Sequence, residues 1–231
     1  MIIEESSPLA AWQAASTHLI ERGREDFNLL VSFPCATIVN EAPLNDYDPR
    51  TILGSKFDRA RDVANTIFPA KTRANSSTRA DLYKRYLKAI RRGRKKSWGT
   101  YFLRMISFGA CKVNQLERVI GALTGWGQKA YRAAFLMHTS SAETDKLRPL
   151  GGPCLQYVQF NCPNATTIDL LAVYRNHDYC NKVLGNLFGL SRLLRFVCEE
   201  SGRSPGRVTC LSVHAYFNTS VKKQKQLIGI D

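Results

Sequence analysis

The sequence predicts an α+β fold, a mixed sheet flanked by helices, in a single domain over residues 1–231. Three observations lead there. A chain of 231 residues suits one domain of ordinary size with a real core. Its 44% hydrophobic and 23% charged content is that of a globular protein. Segments of helical and of strand period intermix along it without the strict βαβ alternation of a doubly wound sheet.

The elements follow in order. Residues 10–22 read as an amphipathic helix with Trp12, Ala15, Leu19 and Ile20 on one side. Residues 27–33 are an apolar run between Asp26 and Pro34 and read as a strand. Pro34, Pro43 and Pro49 predict irregular chain to residue 55. A helix is expected over 57–68, closed by Pro69, and then a polar loop over 71–78. Over 81–92, Tyr83, Tyr86, Leu87 and Ile90 make an apolar helical stripe. The aromatic-rich residues 98–108 predict strand or loop. Residues 114–124 carry Leu116, Val119, Ile120 and Leu123 at helical spacing, with Gly125 as the stop. A strand over 132–138 and a polar loop to Gly152 come next. Strands over 155–162 and 168–174, a helix over 187–200, a Pro205-Gly206 turn and a last strand over 208–217 complete the chain.

Composition excludes several classes. No apolar run spans a bilayer, since Arg192 and Arg195 interrupt the best candidate. Glu4 and Glu5 leave no apolar secretory signal at the start. The seven cysteines are odd in number, scattered and without a Cys-x-x-Cys pair. A disulfide framework or zinc site is therefore not expected, and a cytoplasmic, reducing location is. The net charge of +14 favours anionic partners without choosing among nucleotides, nucleic acid and acidic protein. Eight Lys or Arg fall within residues 84–96, among them Lys84, Lys88, Arg91, Arg92, Arg94, Lys95 and Lys96, with Tyr83, Tyr86 and Trp98 around them. Such a stripe suits a phosphate backbone, or is the solvated face of a helix.

The chemistry-bearing residues cluster over 153–216. Cys154 follows Pro153 at the mouth of a strand. Arg175 and Asp178 lie in Y-R-N-H-D, Asn186 lies eight residues later, and His214 and Tyr216 form H-x-Y, facing one side of a strand. Each also has a plainer role: a buried thiol, a solvated ion pair, a helix N-cap for Asn186, or strand residues.

Together these motifs resemble the thymidylate synthase and pyrimidine hydroxymethylase family. The resemblance covers residues 114–217 best, and its fold implication is a thymidylate-synthase-like mixed sheet. It implies that Cys154 is a nucleophile adding to carbon 6 of a pyrimidine, its thiolate favoured by a neighbouring arginine. It implies that Arg175 binds the nucleotide phosphate and that Asp178 orders folate and water. Asn186 would read a uracil edge, and His214 and Tyr216 would hold the sugar hydroxyl. Tyr131-Arg132 resembles the family's Arg-Arg strand, in which Arg132 would reach a partner's phosphate across a homodimer.

The departures shape the expected function. Tyr174 and Asn176 stand where the family has glutamine and serine. The family's N-terminal phosphate loop is replaced by Arg24-Glu25-Asp26-Phe27. Ala64 and Asn65 occupy the region of its catalytic glutamate, and neither does acid-base work. The chain also reads as C-terminally shortened, so folate closure is not expected. The expectation is a divergent member that binds a pyrimidine nucleotide and acts at C5 or C6, if it acts, through Cys154. Methylation with methylene-tetrahydrofolate as cofactor is not expected. The alternatives are a non-catalytic nucleotide sensor or assembly subunit, and a nucleic-acid-binding protein using residues 84–96.

Overall fold

A computed structural model of the chain describes residues 1–35, 40–92, 98–125, 132, 134–146 and 151–230. Among them run seven strands: β1 (Ile2–Glu4), β2 (Glu25–Pro34), β3 (Phe135–His138), β4 (Leu155–Asn161), β5 (Thr167–Tyr174), β6 (His177–Asp178) and β7 (Ser204–Tyr216). They form one mixed sheet in the order β1-β2-β7-β5-β4-β3, with β6 also paired to β7. β1 runs parallel to β2, and β7 parallel to β5 and β6; the other pairings are antiparallel.

Ten helices accompany the sheet: α1 (Pro8–Glu21), α2 (Ala42–Asp46), α3 (Arg50–Leu53), α4 (Ala60–Ile67), α5 (Ala70–Ala74), α6 (Arg79–Arg92), α7 (Tyr101–Ile106), α8 (Gln115–Gly125), α9 (Val183–Ser201) and α10 (Val221–Ile228). The α+β class is as the sequence predicts. The starts and stops have local causes. Ser7 accepts from the Ala10 N–H to cap α1, whose first residue is Pro8. Asn114 accepts from Glu117 N–H at 2.9 Å ahead of α8. Gly202 ends α9 in the left-handed conformation at φ 69°.

Several boundaries differ from expectation. Pro43 opens α2 and Pro49 precedes α3, because proline suits the first turn, where its missing N–H costs nothing. Within residues 98–108, where strand or loop is expected, Tyr101–Ile106 form helix α7. Thr100 caps α7 by accepting from Leu103 N–H, and Tyr101, Phe102, Met105 and Ile106 bury one helical face. The loop expected over 71–78 contains most of α5, and Pro205-Gly206 lies inside β7 rather than in a turn. α9 begins four residues early, with Lys182 at its N-cap.

α9 lies between β5 and β7 on one side and α4 on the other. It is buried almost all round, so Leu187, Phe188, Leu190, Leu193, Leu194 and Val197 pack in the core with Val31, Phe33, Leu170, Ala172 and Cys210. Each such large apolar side chain contributes about 1.5–3 kcal/mol on burial. No helix among the described residues is long and apolar enough to cross a membrane. No disulfide joins cysteines among the described residues.

Candidate functional site

The site begins where β5 gives way to β6. Tyr174 pairs with Ser212 of β7, and after a bend at Arg175 and Asn176 the pairing resumes with His177 opposite Ala215. The bend turns Tyr174 and His177 to one side, their rings stacked 3.9 Å apart and 4° from parallel. Beside it, Gly151 and Gly152 adopt left-handed φ of 83° and 80°, which glycine tolerates, and carry the chain into Pro153-Cys154. α4 and α9 close the third side. Gly185 and Gly189 make this approach possible, since an added Cβ would come within 2.4 Å of the Ala60 carbonyl and 2.9 Å of the Ala64 carbonyl.

These elements enclose a cavity of about 420 Å³, lined among others by Asp58, Asp62, Trp98, Tyr101, Cys154 and Tyr174, and by Asn176, His177, Asp178, Lys182, Asn186 and Tyr216. The volume lies in the range of small-ligand sites, about 300–1,000 Å³. The structure thus brings together Cys154, Asp178, Asn186 and Tyr216, which stand up to 62 positions apart in the chain.

The Cys154 loop is held from two sides. Tyr101 Oη accepts from the N–H groups of Cys154 and Leu155 at 3.2 and 3.3 Å. Arg175 does not line the cavity. Its Nε donates to the Pro153 carbonyl at 3.2 Å and its Nη2 to the Gly151 carbonyl at 2.9 Å, so the guanidinium braces the turn that carries the thiol. Burial pushes the Cys154 thiol up from its ordinary value; Arg175 opposes this and Asp178 adds to it. Arg175 thus acts on the thiol in the direction expected, and burial outweighs it. Asp178 is likewise pushed up by burial, against the hydrogen bonds that its Oδ1 accepts from the Cys180 N–H and thiol, each at 3.0 Å.

Tyr216 lines the cavity, and burial raises its phenol to about 12. His214 stacks on it at 5.2 Å, so the H-x-Y pair does share a face. His214 itself is not among the lining residues; its Nδ1 lies 2.8 Å from Asn176 Oδ1 and its Nε2 3.0 Å from Glu25. Arg132 is exposed and outside the cavity lining; its carbonyl accepts from the Cys162 N–H. Asn186 is not an N-cap. It sits inside the first turn of α9, 4% exposed, with Nδ2 2.9 Å from His177 Nε2.

Of the basic stretch, Lys84 and Lys88 are exposed on α6. The side chains of Arg91 and Arg92, and all of Arg94, Lys95 and Lys96, lie outside the described residues, as does Tyr131.

Sequence reasoning missed several cavity residues. The region of the family glutamate gave only Ala64, which packs against Gly189, and Asn65, whose Oδ1 accepts from Arg192 at 3.2 Å. The carboxylates that reach the cavity from this region are Asp58, to which Lys182 donates, and Asp62, one helical turn before Thr66. Their spacing from Val63 and Thr66 was the available signal. His177 and Tyr174 lie within the quoted motif, but only the bend shows that both face inward. Tyr174 lines the cavity, and its buried hydroxyl has no hydrogen-bond partner among the described residues.

Fold and site together define an α+β protein in which the ends of central strands and a buried helix enclose a cavity of small-ligand size lined by a cysteine. No protein-family model matches the chain. It is similar to a protein of Methanococcoides burtonii described as "Putative thymidylate synthase", 32% identical over 121 residues, which are 52% of this chain and 54% of that one. Proteins of the same description from Methanosarcina barkeri and Methanosarcina mazei are each 34% identical, over 65 and 64 residues, or 30% and 29% of their lengths. The chain is a distant, divergent homologue of thymidylate-synthase-like proteins, and its longest such match spans about half of the relative.

Proposed function

We propose that the cavity binds a pyrimidine nucleotide of the uracil type and that Cys154 adds reversibly to carbon 6 of its base. One observation carries this reading: a single cavity holds the cysteine, a buried carboxamide, a carboxylate and a phenol, in a homologue of proteins described as thymidylate synthases. In the addition the Sγ–C6 bond forms, the C5=C6 electron pair moves to C5, and the proton lost by the thiol ends on C5. The step balances without a co-reactant. Asn186 meets the base and Tyr216 the sugar. Arg175 acts through the Cys154 turn, with its charge near the phosphate end. The Asp178 oxygen Oδ1 is engaged within its own turn. The addition as written draws on this chain's own residues and the nucleotide alone. The chain acts as a homodimer, and Arg132, exposed and outside its own cavity, serves the partner's phosphate.

Burial, which raises the Cys154 thiol and so disfavours its thiolate, favours a second reading, a nucleotide sensor without covalent chemistry. Intact-mass measurement after incubation with 5-fluoro-deoxyuridylate, with and without methylene-tetrahydrofolate, separates the two. An adduct that disappears in Cys154→Ala supports addition. Nucleotide binding without any adduct sinks the addition and leaves the sensor.

A further inference from the structure

An asparagine that reads a base faces a problem of symmetry. Its carboxamide presents one acceptor and one donor side by side, and turning it over exchanges them. Uracil offers an N3–H donor beside the O4 acceptor; cytosine offers an N3 acceptor beside an amino donor. A carboxamide free to turn over matches either base. Selectivity then requires a neighbour that can tell its two ends apart.

His177 is that neighbour. It is 1% exposed, stacked on Tyr174, and hydrogen-bonded at both ring nitrogens. Its Nε2 lies 2.9 Å from Asn186 Nδ2, and its Nδ1 lies 2.9 Å from Ser212 Oγ. An amide nitrogen only donates, so Nε2 accepts and the ring proton of the neutral imidazole sits on Nδ1, donated to Ser212. Ser212 is held in turn by the Tyr179 hydroxyl at 3.3 Å. Tyr179 is fixed through its backbone, which donates to the Tyr216 carbonyl at 2.8 Å and accepts from Trp12 Nε1 at 2.7 Å. Burial keeps the ring neutral, pushing it down to about 3.

We infer that His177 is a specificity-determining positioning residue: as the Nδ1–H tautomer, with Nδ1 on Ser212 and Nε2 accepting from Asn186, it fixes the Asn186 carboxamide so that its oxygen and second N–H meet a uracil edge and reject cytosine. This rests on the reading of the cavity as a pyrimidine site. His177 acts through Asn186, so it bears on selectivity rather than on the reaction.

Isothermal titration of the full chain with deoxyuridylate and deoxycytidylate gives the affinity ratio. His177→Phe keeps a ring against Tyr174 and removes both nitrogens. The expected result is a uracil preference in the wild type that falls about ten- to hundredfold in the variant, with cytosine binding gained. An unchanged ratio in a folded variant overturns the inference and leaves the pyrimidine site standing. Equal affinity for both bases in the wild type overturns the inference and the uracil assignment, and no binding of either nucleotide overturns the pyrimidine site as well. Where His177→Phe does not fold, ¹⁵N NMR of histidine-labelled wild type decides. One of the four histidines must be a neutral Nδ1–H tautomer with an accepting Nε2, unchanged from pH 5 to 8. An Nε2–H tautomer, or titration of that ring in this range, overturns the inference.

Discussion

Arg192 shows what the interior demands of a single residue. It lies 6% exposed on α9, where an unpaired guanidinium would be costly. Glu41 takes it bidentately, at 2.7 Å from both Nε and Nη2, and Asn65 accepts a third bond. The bond to Arg192 holds the Glu41 carboxyl below its ordinary range, against the opposing effect of burial. A carboxylate whose folded pKa is depressed gives stability that is fully present above its unfolded value, about 4.3, and is lost as pH falls through the folded value. Glu41→Gln should therefore cost about 1–3 kcal/mol at pH 7 in urea denaturation and flatten the acid limb of the stability profile. Identical acid limbs in variant and wild type would dismiss the pair as a contributor. The same arginine was legible in the sequence as a break in an apolar run, but its partner 151 positions away was not.

At the scale of elements, the contact between α4 and α9 decides the width of the cavity. Gly185 and Gly189 are four apart and so share one helix face, and Ala60 and Ala64 share the facing one. Gly185→Ala would set a methyl 2.4 Å from the Ala60 carbonyl and 2.7 Å from Val63 Cβ. Backbone cannot yield cheaply there, so we expect a loss of about 1–3 kcal/mol by thermal or chemical denaturation. Nucleotide affinity should also weaken, because Asp62 and Thr66 move with α4; a variant of unchanged stability would show that the two helices separate freely. Element types were legible where one period ran long, as in α1, α8, β4 and β5. α7 was not, because its two pairs of neighbouring apolar residues fit either period and its Thr100 cap is a single residue. β6 was hidden because two residues carry no period at all.

For the whole molecule, the layered arrangement leaves one face of the sheet without helices from among the described residues. The helices that contact the sheet cover the side carrying Leu29, Val31, Val158, Leu170 and Cys210. The alternate residues Leu30, Tyr157, Leu171 and Leu211 are only partly buried, and Leu136 and Val213 are 40% and 38% exposed. A face of this kind supports the proposed homodimer, since a two-fold pairing buries the same patch on both copies. Light scattering coupled to gel filtration should give a dimer for the wild type and a monomer for Leu211→Asp. A monomeric wild type would remove the dimer and with it the role of Arg132 across the interface.

The sequence by itself determined the intermixing of helix and strand, the absence of a membrane-spanning helix among the described residues, and the cluster of cysteine, aspartate, asparagine and tyrosine over residues 153–216. Those features depend on local period and on residue type, which the chain carries wherever it folds. Only the tertiary structure decided that Arg175 braces a turn, that His214 is engaged with Asn176 and Glu25, that Asp58 and Asp62 reach the cavity, and that His177 holds Asn186. The physical reason is that each of these depends on direction and distance between segments. They are set by a bend of two residues in one strand and by the closeness that two glycines allow between two helices.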